Sequence, residues 1–123
     1  MTAEEKLNLA VTAADAKQAR DLTILDLRGR TLVTDYFVIC CGTSTTHIRT
    51  LSDAVVEAMK KAGMGGIRVE GYEGAHWVLM DYGDVVVHVM DPEQREYYQL
   101  ESYWQGAPML DAAEVVSEPG DGE

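Results

Sequence analysis

Two short groups of residues have the side-chain types that nucleophilic or phosphoryl-transfer chemistry needs. Gly42-Thr43-Ser44 stands between an apolar run and a helical pattern, where backbone donors and a helix N-terminus could hold a phosphate, as in a nucleotidyltransferase. Cys41, His47 and Asp53 could act as a nucleophile, a base and an orienting group. Nucleotidyltransferases also need paired carboxylates on an adjacent strand for metal ions, and the next predicted strand offers only Glu70. A nucleotide-binding enzyme is therefore kept as the alternative function, and no catalytic residue is predicted.

The histidines and cysteines do not have the spacing of metal ligands. His47, His76 and His88 are widely separated, and Cys40 and Cys41 are adjacent, without the two-residue gap of a zinc site. Neighbouring side chains on a strand point to opposite faces, so the two cysteines cannot form an ordinary disulfide. The sequence predicts no metal, no cofactor and two reduced, structural thiols.

The charge balance favours a cationic protein partner. The 123 residues include 10 Lys and Arg against 21 Asp and Glu, a net charge of -11. Such a surface repels phosphate backbones and anionic lipids, which argues against autonomous nucleic-acid or membrane binding. Opposite charge would steer a basic partner towards it, although solubility alone could also explain the acidity. The sequence has no apolar run of the roughly 20 residues that a membrane span needs, and its first residues lack the basic region of a secretory signal, which predicts a cytoplasmic location.

Hydrophobic periodicity predicts an α/β (α+β) fold, in which helices flank one mixed sheet. Early helices alternate with strands, and a hairpin comes late in the chain. The continuous apolar run at 36–41 predicts a central strand covered on both faces. The predicted elements are a helix over 3–19, a strand over 22–27, the strand over 36–41, a helix from Thr43 or Ser44 to Gly63, a strand over 67–70, a hairpin over 77–90 and a helix from Asp91-Pro92 to about Tyr98.

The chain is long enough for one hydrophobic core, and its composition changes near residue 104. Leu100, Tyr103 and Trp104 are predicted to anchor a last turn onto the domain. Beyond Gln105 the sequence has five acidic residues and no basic one. The sequence therefore predicts a domain over residues 1–104 and an acidic, disordered tail over residues 105–123.

The predicted hairpin has one purely aliphatic face and one mixed face. If Tyr82 and Gly83 form the turn, the mixed face brings aromatic and aliphatic side chains beside two carboxylates and an imidazole. Directly opposed carboxylates destabilise a sheet by about 0.2–1 kcal/mol, so a partner could supply the missing cation. Alternatively, the carboxylates cap the turn and the following helix covers the tryptophan. The pairs predicted on this face are Trp77 with His88, Leu79 with Val86 and Asp81 with Asp84.

Together these segments resemble the ribosomal silencing factor (Iojap) family, with motifs that span about residues 3 to 104. The resemblance is in Thr34-Asp35-Tyr36-Phe37-Val38-Ile39, Gly42-Thr43-Ser44 with His47, Val69-Glu70-Gly71, Trp77, residues 81–90 and Arg95-x-Tyr97-Tyr98-x-Leu100-Glu101-x-x-Trp104.

The resemblance implies a fold related to nucleotidyltransferases without their catalytic carboxylates, and a protein that is not an enzyme. Members of this family bind ribosomal protein fourteen of the large subunit and sterically prevent the small subunit from joining, which lowers translation when nutrients are short. A homodimer of the free protein is left open. The residues expected to bind the ribosomal protein are Trp77, Leu79, Asp81, Tyr82, Asp84, His88 and Met90.

Overall fold

The computed structural model describes residues 1–64 and 68–116, which form helices on both sides of a mixed sheet. Six strands pair in the order β3-β4-β5-β2-β1-β6, and β2 and β5 are parallel while the other neighbours are antiparallel. The predicted α+β class and mixed sheet are confirmed. The strands are β1 (Arg20–Asp26), β2 (Tyr36–Cys41), β3 (Arg68–Glu70), β4 (Trp77–Asp81), β5 (Val85–Met90) and β6 (Met109–Leu110).

Two long helices cover one face of the sheet. α1 (Ala3–Ala16) begins with the predicted capping box, in which Thr2 and Glu5 exchange backbone-to-side-chain hydrogen bonds. α1 ends three residues earlier than predicted, because the chain turns through a left-handed residue at Gln18. α2 (Thr45–Lys61) is capped by the Ser44 side chain and buries an aliphatic stripe against the sheet.

The opposite face is covered only in part, by short helices after β5. α3 (Pro92–Tyr98) begins at the predicted N-cap Asp91, and α4 (Leu100–Tyr103) follows it. Leu100 and Trp104 pack against this face as predicted, whereas Tyr103 is 79% exposed and does not act as an anchor. The buried residues of this second core are Leu25, Leu27, Ile39 and Met90.

The predicted register of the β4–β5 hairpin is wrong by two residues. The two-residue turn is Gly83-Asp84, closed by a hydrogen bond from Tyr82 N to Val85 O (2.9 Å). Gly83 has φ +86°, as a turn with glycine at its first central position requires. The observed pairs are Trp77 with Met90, Leu79 with His88 and Asp81 with Val86. A shift of two keeps each strand residue on its predicted face, but it moves Tyr82 out of the turn and onto the helix-covered face.

The described part of the predicted disordered tail is ordered, so that prediction is wrong for residues 105–116. β6 pairs with β1, and α5 (Ala112–Val115) packs against α1. Arg30 donates a hydrogen bond to Gly106 O (2.6 Å), and Asn8 donates one to Val115 O. Half-buried Leu110 and Val115 explain the order, because these aliphatic side chains join the core despite the acidic surroundings. Residues 117–123 lie outside the described residues.

Candidate docking face

The partly covered face of the sheet presents Trp77 at the start of β4. The Trp77 indole N–H donates a hydrogen bond to Nδ1 of His88 (3.1 Å), and the Tyr98 ring of α3 lies 4.8 Å from the indole. The residue is half-buried in the monomer, so part of the indole is available to a partner. The loop before β4 approaches closely at Gly71, where φ is +82° and any Cβ would overlap the carbonyl oxygen of Trp77.

His88 orients the Trp77 indole from below. Only 3% of its surface is exposed, and burial lowers the pKa of its imidazole to about 4, so the ring is neutral near pH 7. Because the indole N–H needs an acceptor, Nδ1 is unprotonated and the proton is on Nε2. Nε2 is buried without a hydrogen-bond partner among the described residues. The neutral imidazole therefore holds the indole in one orientation.

Seven rings form a continuous array across this face, with each ring in contact with the next. Centroid distances along the array range from 4.6 Å, between Phe37 and His88, to 6.1 Å, between Phe37 and Trp104. Tilted and edge-to-face contacts of this kind add to the stability that burial alone provides. We call this set the aromatic array; its members in order are Tyr97, Tyr98, Trp77, His88, Phe37, Trp104 and Tyr103.

A shallow cleft lies beside the array at the sheet edge. Glu70, Gly71, Trp77 and Leu79 line its volume of about 310 Å³. Leu79 is half-buried, and its cross-strand neighbour is His88. The cleft therefore combines an indole, an aliphatic side chain and a carboxylate at the solvent boundary.

The carboxylates of the hairpin are paired within the chain, whereas the sequence suggested that a partner could supply their cation. Asp84 forms an ion pair with Lys6 of α1 (2.7 Å). Asp81 accepts a hydrogen bond from Gly83 N (2.8 Å) and lies 3.4 Å from the guanidinium of Arg68. Because the register differs from the prediction, these two aspartates are not cross-strand partners. Neither aspartate needs a partner protein to neutralise it.

Six of the seven predicted binding residues divide into two groups, and the seventh, Asp84, lies in the turn and pairs with Lys6. Trp77, Leu79 and Asp81 lie together on the partly covered face and are half-buried. The remaining large side chains that were expected to bind the partner are buried in the monomer, with 5% exposure or less. Those buried side chains are Tyr82, within the helix-side core, His88, beneath Trp77, and Met90, within the second core.

Two residues of this face were not predicted to take part. Phe37 of β2 is half-buried and contacts both His88 and Trp104, and Tyr98 of α3 packs on Trp77. The continuous apolar run around Phe37 predicted burial on both sides, so it gave no signal of an open face. The position of Tyr98 one helix after the hairpin could have suggested the contact, since a short connection returns the chain to the same face.

The residues considered for catalysis do not form a common site. His47 Nδ1 accepts from Thr43 N (2.9 Å), and its Nε2 donates to Lys17 O (2.9 Å). The Ser44 side chain caps His47 N. Asp53 instead accepts from the Tyr72 hydroxyl. Two backbone donors near the start of α2, Thr43 N and His47 N, are therefore used within the chain.

Cys40 and Cys41 are both buried and free, as predicted, and Cys41 lies 3.6 Å from the Arg95 guanidinium. Within residues 1–64 and 68–116, no group of three His, Cys, Asp or Glu residues is arranged to hold a metal ion. No helix in the same ranges is long and apolar enough to cross a membrane.

The fold and this face define a small α+β protein whose mixed sheet is covered by long helices on one face and only partly covered on the other. Residues 1–122 match the family model described as ribosomal silencing factor during starvation. The chain belongs to the ribosomal silencing factor family, whose members regulate translation.

Named relatives and a solved structure agree with this assignment. The chain is 40% identical over 117 residues to the ribosomal silencing factor of Halalkalibacterium halodurans, which covers 95% of this chain and 100% of that protein. It is 33% identical to the mouse mitochondrial assembly of ribosomal large subunit protein 1, over 80% of this chain and 44% of that protein. A crystal structure of a Chromobacterium violaceum protein matches with a TM-score of 0.82 at 34% identity, over 94% of this chain and 98% of that one.

Proposed function

We propose that this protein binds the large ribosomal subunit through ribosomal protein fourteen and sterically prevents the small subunit from joining. Translation would then fall when nutrients are limiting. The binding surface is the partly covered sheet face around Trp77 and Leu79, and Asp81 lies at its edge. The observation that carries the proposal is a partly exposed indole held in a fixed orientation by His88 and Tyr98.

Several features support this surface. Large aromatic side chains are favoured anchors of protein interfaces, because they bury much area while losing little conformational freedom. Trp77 is already oriented in the free protein, so binding need not order it. The mouse relative's name refers to assembly of the large ribosomal subunit. The net charge of -11 favours a basic protein as the partner.

The mechanism needs no chemical step. A folded domain seated on a subunit interface occupies volume that the second subunit needs, so occlusion alone lowers the population of joined ribosomes. The block is then set by the affinity and lifetime of one protein–protein contact.

The test mixes purified large subunits, small subunits and this protein, and measures joined ribosomes by sedimentation. Leu79→Arg places a cation on the docking face without removing a hydrogen bond. Leu9→Arg is the matched control, because Leu9 is also half-buried but lies on α1 across the sheet.

The wild-type protein and Leu9→Arg should reduce joining, and Leu79→Arg should not. Pull-down on isolated ribosomal protein fourteen should follow the same order. Equal inhibition by both variants would refute the assigned face, and unimpaired joining with the wild-type protein would refute the function. Light scattering of the free protein would reveal a homodimer if the face were used for self-association.

A further inference from the structure

We infer that α3 forms a second, cation-binding half of the docking surface, in which Tyr97, Glu93 and Glu96 contact Lys or Arg side chains of the partner. This inference rests on the proposed function, since the partner is the same basic protein that covers Trp77. It transfers to α3 the charge recognition that the sequence had suggested for Asp81 and Asp84.

The carboxylates near the hairpin are paired within the chain, whereas two carboxylates of α3 are not paired with the described residues. Asp81, Asp84 and Glu70 near the hairpin all have a Lys or Arg partner within the chain. Glu93 and Glu96 are exposed, and neither forms an ion pair with the described residues 1–64 and 68–116. A carboxylate without an internal partner attracts an incoming cation more strongly than a carboxylate that is already neutralised.

The aromatic array ends in two exposed tyrosine rings on α3. Tyr97 is 79% exposed and Tyr98 is 49% exposed, and their rings meet edge to face at 4.9 Å. Tyr98 in turn packs on Trp77, so the rings run without a gap from the hairpin onto α3. A tyrosine face attracts ammonium and guanidinium groups, most strongly once the contact excludes water.

The unpaired carboxylates and the exposed tyrosine ring lie close together on α3. Glu93, Glu96 and Tyr97 line one open cleft of about 570 Å³, together with Pro92 and Gln94. Residues 93 and 97 are four apart on the helix, so Glu93 lies on the same side of α3 as Tyr97, and Glu96 lines the same cleft. A cationic side chain over Tyr97 would therefore have a carboxylate within reach.

The helix is held firmly enough to present these groups in advance of binding. Asp91 caps α3 by accepting from Gln94 N (2.8 Å), and its other carboxylate oxygen lies 2.9 Å from Nδ1 of His76. Arg95 forms an ion pair with Glu101 (2.7 Å) and donates to Thr23 of β1 (2.8 Å). Cationic and polar contacts on the inner side thus leave the outer side of α3 to the partner.

The experiment measures binding of the full chain to purified large subunits, at about 50 mM and about 300 mM potassium chloride, where screening differs greatly. The double variant Glu93→Gln with Glu96→Gln removes both α3 carboxylates. The control Asp15→Asn with Glu114→Gln removes two exposed carboxylates elsewhere and gives the same net charge. Circular dichroism verifies that both variants are folded.

At low salt the α3 variant should bind about tenfold more weakly than the control, and its affinity should depend less on salt. Tyr97→Ala should weaken binding severalfold, while Tyr97→Phe, which keeps the ring, should retain it. Equal affinities for the two double variants, with normal wild-type binding, would overturn the role of α3 and leave the Trp77 face intact. No wild-type binding at all would overturn the proposed function and this inference together. If the α3 double variant changed self-association and left subunit binding unchanged, the inferred role of α3 would also be overturned.

Discussion

The two faces of the sheet are built from different residues and are covered to different extents. The helix-covered face buries aliphatic side chains of α1, α2, β2, β4 and β5 in one large cluster. The other face has a smaller hydrophobic cluster, with Leu25, Leu27, Ile39 and Met90 at its centre, and half-buried rings and short helices around it. Four-residue and seven-residue helices cannot cover a six-stranded sheet. The first face therefore supplies most of the core, and the second leaves part of its surface exposed, as the proposed docking requires.

The largest expected effect is on the helix-covered face. Leu51 of α2 is fully buried, so Leu51→Ala should lower the free energy of unfolding by about 2–5 kcal/mol through lost burial and a cavity. Leu79→Ala, on the proposed docking face, should lower it by only about 1 kcal/mol because the side chain is partly exposed already. Urea denaturation compares the two variants. Equal losses would mean that the two faces do not differ as described.

The next effect is a pH dependence of the free energy of unfolding, which arises from His88. Burial lowers the pKa of His88 to about 4 from its ordinary 6.5, so the unfolded chain binds more protons between these pH values. Stability from this group is complete above about pH 6.5, decreases as the pH falls, and levels off near pH 4 after a loss of about 3 kcal/mol.

Denaturation at several pH values, compared with His88→Phe, isolates this contribution, because the variant cannot titrate there. An NMR titration of His88 with a midpoint near 6.5 would contradict the buried, neutral imidazole. Protonation of His88 near pH 6.5 would also remove the acceptor that orients Trp77.

A smaller effect is expected from the segment that joins the two faces. A chain ending at Trp104 lacks β6 and α5, which lie along β1 and α1. It should fold, as the predicted domain over residues 1–104 implies, but lose about 1–3 kcal/mol from a few half-buried aliphatic side chains. Hydrogen exchange should quicken in β1. Unchanged stability and exchange would mean that residues 105–116 contribute nothing to the core.

The smallest effect concerns the ion pair that neutralises the hairpin. Lys6→Met should cost about 0.5–1 kcal/mol at low salt and less at high salt, since Asp84 is partly exposed. It should leave subunit binding close to wild type, because the pair is internal. A large loss of binding would restore Asp84 as a contact residue and weaken the contrast with α3.

The sequence predicted the elements well because their signals are local. The capping box at Thr2, the apolar run of β2 and the Asp91-Pro92 helix start each depend on a few neighbouring residues. Alternation along β4 and β5 also gave the correct face for Trp77 and Leu79. Periodicity of two fixes a face regardless of where the turn lies.

The details of the site depend on long-range contacts that local patterns do not encode. Gly83-Asp84 and Tyr82-Gly83 were both acceptable turns, and the choice between them reassigned Tyr82 to the core. Lys6 reaches Asp84 from the other end of the chain, so the neutralised carboxylate was not foreseeable. The order of residues 105–116 likewise depends on α1 and β1, which outweigh the acidic composition.

We propose that the partner contacts the partly covered face of the sheet and not the helix-covered face. Photo-cross-linking on intact large subunits tests it most directly, with p-benzoylphenylalanine replacing Leu79 in one protein and Leu9 in another. The probe at position 79 should cross-link to ribosomal protein fourteen, and the probe at position 9 should not. Cross-links to that protein from position 9, with none from position 79, would contradict it.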